Sequence, residues 1–183
     1  MSLPFEFLDK RPIVIVLAGS NGAGKSTFYE SFLADSGLRF INADGLTQSL
    51  RVNAYEAAAL ASSLRSALVA QRESFIFETV LSDPVGEKVG QFAACAALGY
   101  TVVFIFIHID SPEQSIQRVA MRASQGGHDV PDEKLQARFE RTRANLKLAI
   151  ERLPYVIVYS NDDLTQPYKL IELYENGKST LTL

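Results

Sequence analysis

The sequence contains one cysteine, two histidines and no tryptophan. A single cysteine excludes an intramolecular disulfide and any zinc site built from several thiolates. No apolar run is long enough to span a membrane, and the amino-terminal segment lacks the basic and apolar parts of a signal peptide. The net charge of −3 provides no global basic field of the kind that nucleic-acid-binding proteins carry. These absences predict a soluble cytoplasmic protein with no membrane or nucleic-acid partner.

Apolar strands alternate with helices along the chain, and 47% of the residues are hydrophobic, enough for one core. The run Pro12–Ala18 is short, continuous and β-branched, which is typical of a strand buried on both faces of a parallel sheet. Strands are predicted over Pro12–Ala18, Leu38–Asn42, Ser74–Glu78, Thr101–Ile109 and Tyr155–Tyr159. Helices are predicted over roughly Lys25–Ala34 and Tyr55–Gln71, in a segment ending near Gly99, from Ser111 to Gly126-Gly127, and over Asp132–Arg152.

The tail, Lys169–Leu183, has the pattern of a hairpin that turns at Asn176-Gly177. Strands that alternate with helices predict a doubly wound α/β sheet with helices on both faces. The sequence has no linker that would separate a second domain. We therefore expect a single domain over residues 1–183, with the hairpin at about 167–183.

A phosphate-binding motif follows the first predicted strand. Residues 19–26 fit the pattern G-x-x-x-x-G-K-[ST] at every position. In such a P-loop the glycines let backbone N–H groups converge on phosphate oxygens, and the following helix directs its positive end at the same anion. We expect Lys25 to bind the β- and γ-phosphates and Ser26 to complete a Mg²⁺ shell. The predicted nucleotide site comprises Gly19, Ser20, Asn21, Gly22, Ala23, Gly24, Lys25, Ser26 and Thr27.

Two other classes of P-loop protein fit less well. A GTPase would carry an N-K-x-D element, and Asn161-Asp162-Asp163 does not match it. A transport ATPase would carry L-S-G-G, for which the segment Leu81–Pro84 is a poor substitute. ATP is thus the expected nucleotide, with GTP kept as the alternative.

Carboxylates follow the second and third predicted strands. Ligands of open parallel sheets bind beyond the carboxyl ends of the strands, so Asp44 and Glu78 are expected to face the phosphates. Asp44 could accept the proton of an attacking hydroxyl, or could instead cap the next helix. Glu78 could hold the acceptor or the magnesium shell, and the adjacent Thr79 is grouped with it as a substrate residue. Asp110 also follows a strand, but it precedes a helix cap and is interpreted as structural.

A basic cluster lies within residues 111–152, the predicted lid. Arg118 and Arg122 share one helix face, and Arg138, Arg141 and Asn145 form a polar stripe on the next helix. The two helices would present guanidinium groups to a triphosphate, where arginine neutralises charge on the transferring phosphoryl group. The alternative is a solvated helix face with i,i+4 ion pairs.

Together the segments AGSNGAGKST, FINAD, FET-x-LS, RVAMRASQGGHDVP and R-x-x-R-x-x-x-N resemble the zeta-toxin-like family of P-loop kinases, over about residues 12–161. The resemblance implies a three-layer P-loop fold with a central parallel sheet ordered 2-3-1-4-5. It implies ATP-dependent phosphorylation of UDP-N-acetylglucosamine, with Lys25 in the P-loop and Asp44 as base. It also places Glu78 on the substrate and Arg122 as the first lid arginine. Counting along the chain from the helix start at Ser111-Pro112-Glu113 puts the second lid position at His128, so Arg138 or Arg141 could supply that charge.

The resulting hypothesis is a kinase that transfers phosphate from ATP·Mg²⁺ to a hydroxyl of a small molecule. The first alternative is a nucleotide-binding switch that hydrolyses ATP slowly and acts through a protein partner such as an antitoxin. A third candidate, a polynucleotide 5′-kinase, is disfavoured by the acidic net charge.

Overall fold

The computed structural model describes residues 6–50, 52–126 and 130–181, with Asp44, Gln48, Ala54 and Tyr55 described by backbone alone. Seven strands form one sheet in the order β2-β3-β1-β4-β5-β6-β7. Their bounds are β1 Ile13–Ala18, β2 Arg39–Ile41, β3 Phe75–Thr79, β4 Thr101–His108, β5 Tyr155–Ser160, β6 Lys169–Glu175 and β7 Lys178–Ser179. Strands β1 to β5 pair in parallel, whereas β6 pairs antiparallel to β5 and to β7.

Helices cover both faces of the sheet. The first begins as α1 at Lys25–Phe28, continues as a π-helical turn at Tyr29–Leu33 and ends as a 3₁₀ turn at Ala34–Ser36. The others are α2 Ala43–Leu50, α3 Ala54–Ala70, α4 Glu87–Ala97, α5 Pro112–Ser124 and α6 Asp132–Arg152. None of the helices in the described part of the chain is both long enough and apolar enough to cross a membrane.

The sheet separates two hydrophobic cores. Alternate side chains of one strand enter opposite cores, so Phe75 and Phe77 pack towards α4 while Ile76 packs with Phe28 of α1. Every residue of β1 is buried, as expected for a central strand covered by helices on both faces. This arrangement brings the carboxyl ends of β1, β3 and β4 to one edge, directly beside the P-loop.

The predicted fold class and central strand order are confirmed. Three details were not predicted: the hairpin strand β6 joins the main sheet, the short helix α2 follows β2, and the first helix contains a π-helical turn. The buried side chains of Phe28, directly before that turn, and of Leu33, at its end, lie five positions apart, which matches the wider π spacing. The hairpin turn has the left-handed residues that its sequence requires, Asn176 at φ 48° and Gly177 at φ 76°.

Candidate functional site

The P-loop connects β1 to α1 in a conformation that depends on glycine. Gly22 and Gly24 have φ values of 72° and 96°, which lie in the left-handed region. A Cβ atom on Gly24 would lie 2.6 Å from Nδ2 of Asn161. The backbone can therefore approach a ligand and its supporting side chains only because no side chain is present at this position.

Side chains from outside the loop hold its carbonyl groups. Ser115 Oγ donates to the Asn21 carbonyl at 2.7 Å, Asn161 Nδ2 to the Ala23 carbonyl at 2.8 Å, and the Tyr168 hydroxyl to the Gly24 carbonyl at 2.9 Å. In a trans peptide the N–H group points opposite to the carbonyl. The N–H groups that follow these three carbonyls are thus directed the other way, as a phosphate cradle requires.

Glu78 connects the end of β3 to the P-loop. Its Oε2 accepts hydrogen bonds from Ser26 Oγ at 3.3 Å and from Asn42 Nδ2 at 3.1 Å. Its Oε1 lies 4.0 Å from Nζ of Lys25, which itself donates to the Ser20 carbonyl at 3.0 Å. The Lys25 and Glu78 side chains are only 7% and 9% exposed, so this pair is shielded from solvent. The loop lysine, the loop serine and the strand-end carboxylate therefore form one connected group.

A cavity of about 230 Å³ opens over this group. Arg118 and Arg122 approach it from α5, and Val80 forms part of the wall beyond β3. Arg118 Nη2 donates to the carbonyls of Asn161 and Asp162 at 2.9 and 3.2 Å, whereas Arg122 is exposed. The lining comprises Asn21, Gly22, Gly24, Lys25, Ser26, Thr27, Glu78, Val80, Arg118 and Arg122.

Thr79 points to the opposite face of β3 from Glu78. Its side-chain oxygen accepts hydrogen bonds from Nζ of Lys88 and from the Leu81 N–H, both at 3.0 Å. Burial lowers the pKa of Lys88, the nearby Arg65 and Arg138 lower it further, and Asp83 and Glu87 oppose that shift. Thr79 thus anchors the first turn of α4 and is itself only 6% exposed.

The structure does not describe the side chains of two predicted site residues, Asp44 and His128. Asp44 is the second residue of α2, so it does not occupy the cap position, but its side chain lies outside the described residues. His128 lies in the segment 127–129, which is also outside them. Their predicted roles stay predictions.

The polar stripe of α6 does not face the cavity among the described residues. Nε of Arg141 donates to the Ser82 carbonyl at 2.8 Å, and Arg138 is half-buried near Lys88. Asn145, expected on a polar face, is only 6% exposed and donates to the carbonyls of Leu81 and Asp83. The stripe is polar because it binds the backbone of the loop after β3, which the helical pattern alone does not reveal.

Asp110 lies at the end of β4 in a hydrogen-bonded turn. Its N–H donates to Oδ1 of Asp162 at 2.5 Å, and its own Oδ1 lies 3.2 Å from Nε2 of His108. Ser160 Oγ donates to the other carboxylate oxygen of Asp162 at 2.6 Å. These contacts join the carboxyl ends of β4 and β5.

Sequence reasoning missed the residues that support the loop from a distance. Ser115, Asn161 and Tyr168 lie about 90 to 145 positions from the carbonyls they hold. Asn161 was considered only as part of a guanine-reading element. Asn42 is the exception, because its position in FINAD, two residues before Asp44, could have indicated a contact with the neighbouring strand end.

The donor set fits a nucleoside triphosphate with Mg²⁺. The cradle has no room for a Cβ at Gly24, Lys25 provides a buried cation, and Ser26 offers an exposed hydroxyl beside a carboxylate. Hard oxygen ligands of this kind are those that Mg²⁺ prefers next to substrate phosphates.

The fold resembles several solved structures. The AvrRxo1-ORF1:-ORF2 complex with ATP matches with a TM-score of 0.74 and 17% identity over 96% of this chain, which spans 62% of that chain. The PezAT chromosomal toxin–antitoxin system of Streptococcus pneumoniae matches with a TM-score of 0.66 and 19% identity, over 89% of this chain and 72% of that chain. A gluconokinase from Sinorhizobium meliloti 1021 matches with a TM-score of 0.52 and 20% identity, over 85% of this chain and 84% of that chain.

No curated protein matches the chain. The comparison with protein families matches the zeta toxin family over residues 39–171, which begins at β2 and ends within β6. The P-loop at 19–26 precedes the matched span, so its assignment depends on the motif and the geometry above. Because the match covers well over half of the sequence, this chain belongs to the zeta toxin family.

Proposed function

We propose that the protein is a kinase that transfers the terminal phosphate of ATP, with Mg²⁺, to a hydroxyl group of a small molecule. A UDP-sugar such as UDP-N-acetylglucosamine is the first candidate acceptor. The observation that carries the proposal is the contact between Glu78 and the P-loop, where one strand-end carboxylate bonds Ser26 and lies beside Lys25. In P-loop enzymes a hydroxyl and a strand-end carboxylate placed in this way hold Mg²⁺ against the phosphates.

In the proposed reaction each residue acts on a defined atom. The P-loop N–H groups and Lys25 Nζ hold the β- and γ-phosphates. Ser26 and Glu78 would hold the metal shell, and bound Mg²⁺ would neutralise charge that develops on the phosphate oxygens. Asp44 accepts the proton of the acceptor hydroxyl as its oxygen attacks the γ-phosphorus, and the bond to the ADP oxygen breaks.

Arg122 is our choice for the first lid arginine, because it lines the cavity and is exposed to an approaching phosphate. Arg138 and Arg141 stay the two candidates for the second; neither lines the cavity, and Nε of Arg141 donates to the Ser82 carbonyl, so either side chain would have to move to reach a phosphate. A cytoplasmic location belongs to the same proposal, since ATP is the donor.

The test combines an acceptor panel with one variant. The protein is incubated with ATP, Mg²⁺ and a metabolite panel that includes UDP-sugars, while ADP release and phosphate incorporation are followed. At least one compound should raise ADP release above background. Asp44→Ala should retain ATP affinity within about twofold and lose transfer by about a hundredfold or more, as expected for a lost general base. If no compound stimulates turnover and Asp44→Ala leaves background hydrolysis unchanged, the kinase proposal fails.

A second candidate is a nucleotide-binding protein that acts through an antitoxin-like partner. The candidate is motivated by the zeta toxin family match and by the PezAT toxin–antitoxin structure, whose fold this chain shares at 19% identity. Its signature would be ATP-dependent binding to a protein partner without any acceptor-stimulated turnover.

A further inference from the structure

The loop between β3 and α4, residues 80–86, begins at the wall of the phosphate cavity. Val80, its first residue, lines the cavity two positions beyond Glu78. The next residue, Leu81, is fully buried and has φ 59°, a left-handed conformation that is uncommon for a bulky side chain. Such a conformation persists only where the surrounding structure holds it.

Side chains of helix α6 provide that support by donating hydrogen bonds to four consecutive carbonyl groups of the loop. Thr142 Oγ1 donates to Val80 at 2.8 Å, Nδ2 of Asn145 to Leu81 and Asp83 at 2.8 and 2.9 Å, and Nε of Arg141 to Ser82 at 2.8 Å. Thr142 and Asn145 are 1% and 6% exposed, so these bonds are shielded from competing water.

The end of the loop is also pressed against α6. Gly86 has φ 69°, and a Cβ atom there would collide with Cδ2 of Leu148. Other elements hold the P-loop. Within the described residues, the side chains that bind its carbonyl groups are those of Ser115, Asn161, Tyr168 and Lys25, and none of these belongs to α6. The two walls of the cavity are thus supported by different elements.

We propose that the wall at Val80 is the acceptor side of the cavity, and that Arg141, Thr142 and Asn145 are positioning residues that set it independently of the nucleotide side. The inference rests on the proposed kinase function and assigns no phosphate contact to Arg141. In this arrangement α6 governs how the acceptor is held, while the β5–β6 connection and α5 govern how ATP is held.

Thr142→Val tests the proposal, because it removes the hydroxyl donor and keeps the size of the side chain. Hydrogen–deuterium exchange of the amides in segment 80–86, all but Pro84, should rise by about threefold or more, since the loop loses a buried bond. The kcat/KM for the panel compound that the wild type phosphorylates should fall by about three- to tenfold, mainly through KM, while ATP affinity changes by less than about twofold. Thr142→Ser retains the hydroxyl and should restore both values.

Tyr168→Phe is the matched contrast, since it removes a single hydroxyl donor from the other wall. It should weaken ATP binding by about three- to tenfold and leave exchange of amides 80–86 unchanged. Arg141→Gln is the second variant of the α6 group, at a half-buried site that tolerates change if Thr142→Val does not fold.

The outcomes separate the two proposals. If the Thr142→Val and Arg141→Gln variants leave loop exchange unchanged, or reduce ATP affinity as much as acceptor kcat/KM, the positioning role is wrong. If no panel compound is phosphorylated and Asp44→Ala leaves background hydrolysis unchanged, the kinase proposal fails. The positioning role is then decided by loop exchange and ATP affinity, which require no acceptor.

Discussion

Glu78 is the residue on which the chemistry of the site depends most directly. Its carboxylate accepts hydrogen bonds from Ser26 and Asn42 and lies beside Lys25, while its side chain is 9% exposed. A buried carboxylate in such a network is costly unless each partner is present. Removing its charge therefore disturbs the loop lysine and the loop serine together.

Glu78→Gln is expected to separate nucleotide binding from magnesium use. The amide keeps the size of the side chain but no longer offers two anionic oxygens to Ser26 and the metal. ATP affinity measured without Mg²⁺ should change by less than about threefold, whereas the Mg²⁺-dependent gain in affinity and the transfer rate should fall by about a hundredfold. Fluorescent-nucleotide titrations with and without Mg²⁺ and a coupled ADP assay measure these quantities.

Glu73→Gln is the matched control, because Glu73 is an exposed carboxylate just before the opposite end of β3. It should leave both quantities unchanged. Equal losses in the two variants would contradict the role of Glu78.

For individual residues, the sequence predicted which ones meet at the P-loop, but it did not predict the side chains that hold the loop in place. Lys25 and Ser26 follow from a motif whose spacing has one structural meaning, and Glu78 follows from its place at a strand end. Asn145 could not be interpreted correctly, because a polar residue on a helix gives the same pattern whether its partner is water or a buried carbonyl.

Among the elements, α4 has one glycine directly before it, which the fold needs, and another inside it, which the fold does not need. Gly86, just before the helix, has φ 69° and is packed against Leu148. Gly90 lies inside the helix with nothing within 4 Å of an added Cβ. A helix-interior glycine costs conformational entropy relative to alanine.

The two glycines should respond oppositely to alanine. Gly90→Ala is expected to raise the free energy of unfolding by about 0.5–1 kcal/mol. Gly86→Ala should lower it by about 1–3 kcal/mol, through both strain at positive φ and the collision with Leu148. Urea denaturation followed by circular dichroism measures both values. A loss of stability in Gly90→Ala would show that this face of α4 is less open than described.

The central strands were predictable because each is a continuous apolar run between turn residues. Helix α2 was not, since its eight residues begin inside the FINAD segment, at Ala43, and have no separate start signal. The pairing of β6 with β5 was also not predictable, because a hairpin pattern defines its own turn and not the sheet edge that it joins.

On the scale of the whole molecule, the sheet divides the protein into two cores, and Tyr159 joins β5 to the core beneath the P-loop helix. Its ring centroid lies 5.2 Å from that of Phe28 in α1, and its side chain is buried. Burial raises the pKa of Tyr159 to about 12, because the phenolate would lose its hydration inside the core. Burial also raises the pKa values of Tyr100, Tyr168 and Tyr174.

These shifts predict a specific alkaline weakening of the fold. In the unfolded chain tyrosine loses its proton near its ordinary pKa of about 10. The folded state keeps the Tyr159 proton up to about 12, so the unfolded state gains from deprotonation between these values. The free energy of unfolding should be fully retained below about pH 10 and should decline as pH rises towards about 12.

Urea denaturation at a series of pH values measures that decline, and Tyr159→Phe identifies its source. Phenylalanine keeps the ring against Phe28 but has no proton to lose, so the variant should lose less stability across the same pH range. The remaining slope in the variant would come from the other three tyrosines. A wild-type curve that stays flat up to about pH 12, or a variant with the same slope as the wild type, would mean that the hydroxyl of Tyr159 is hydrated in the folded protein.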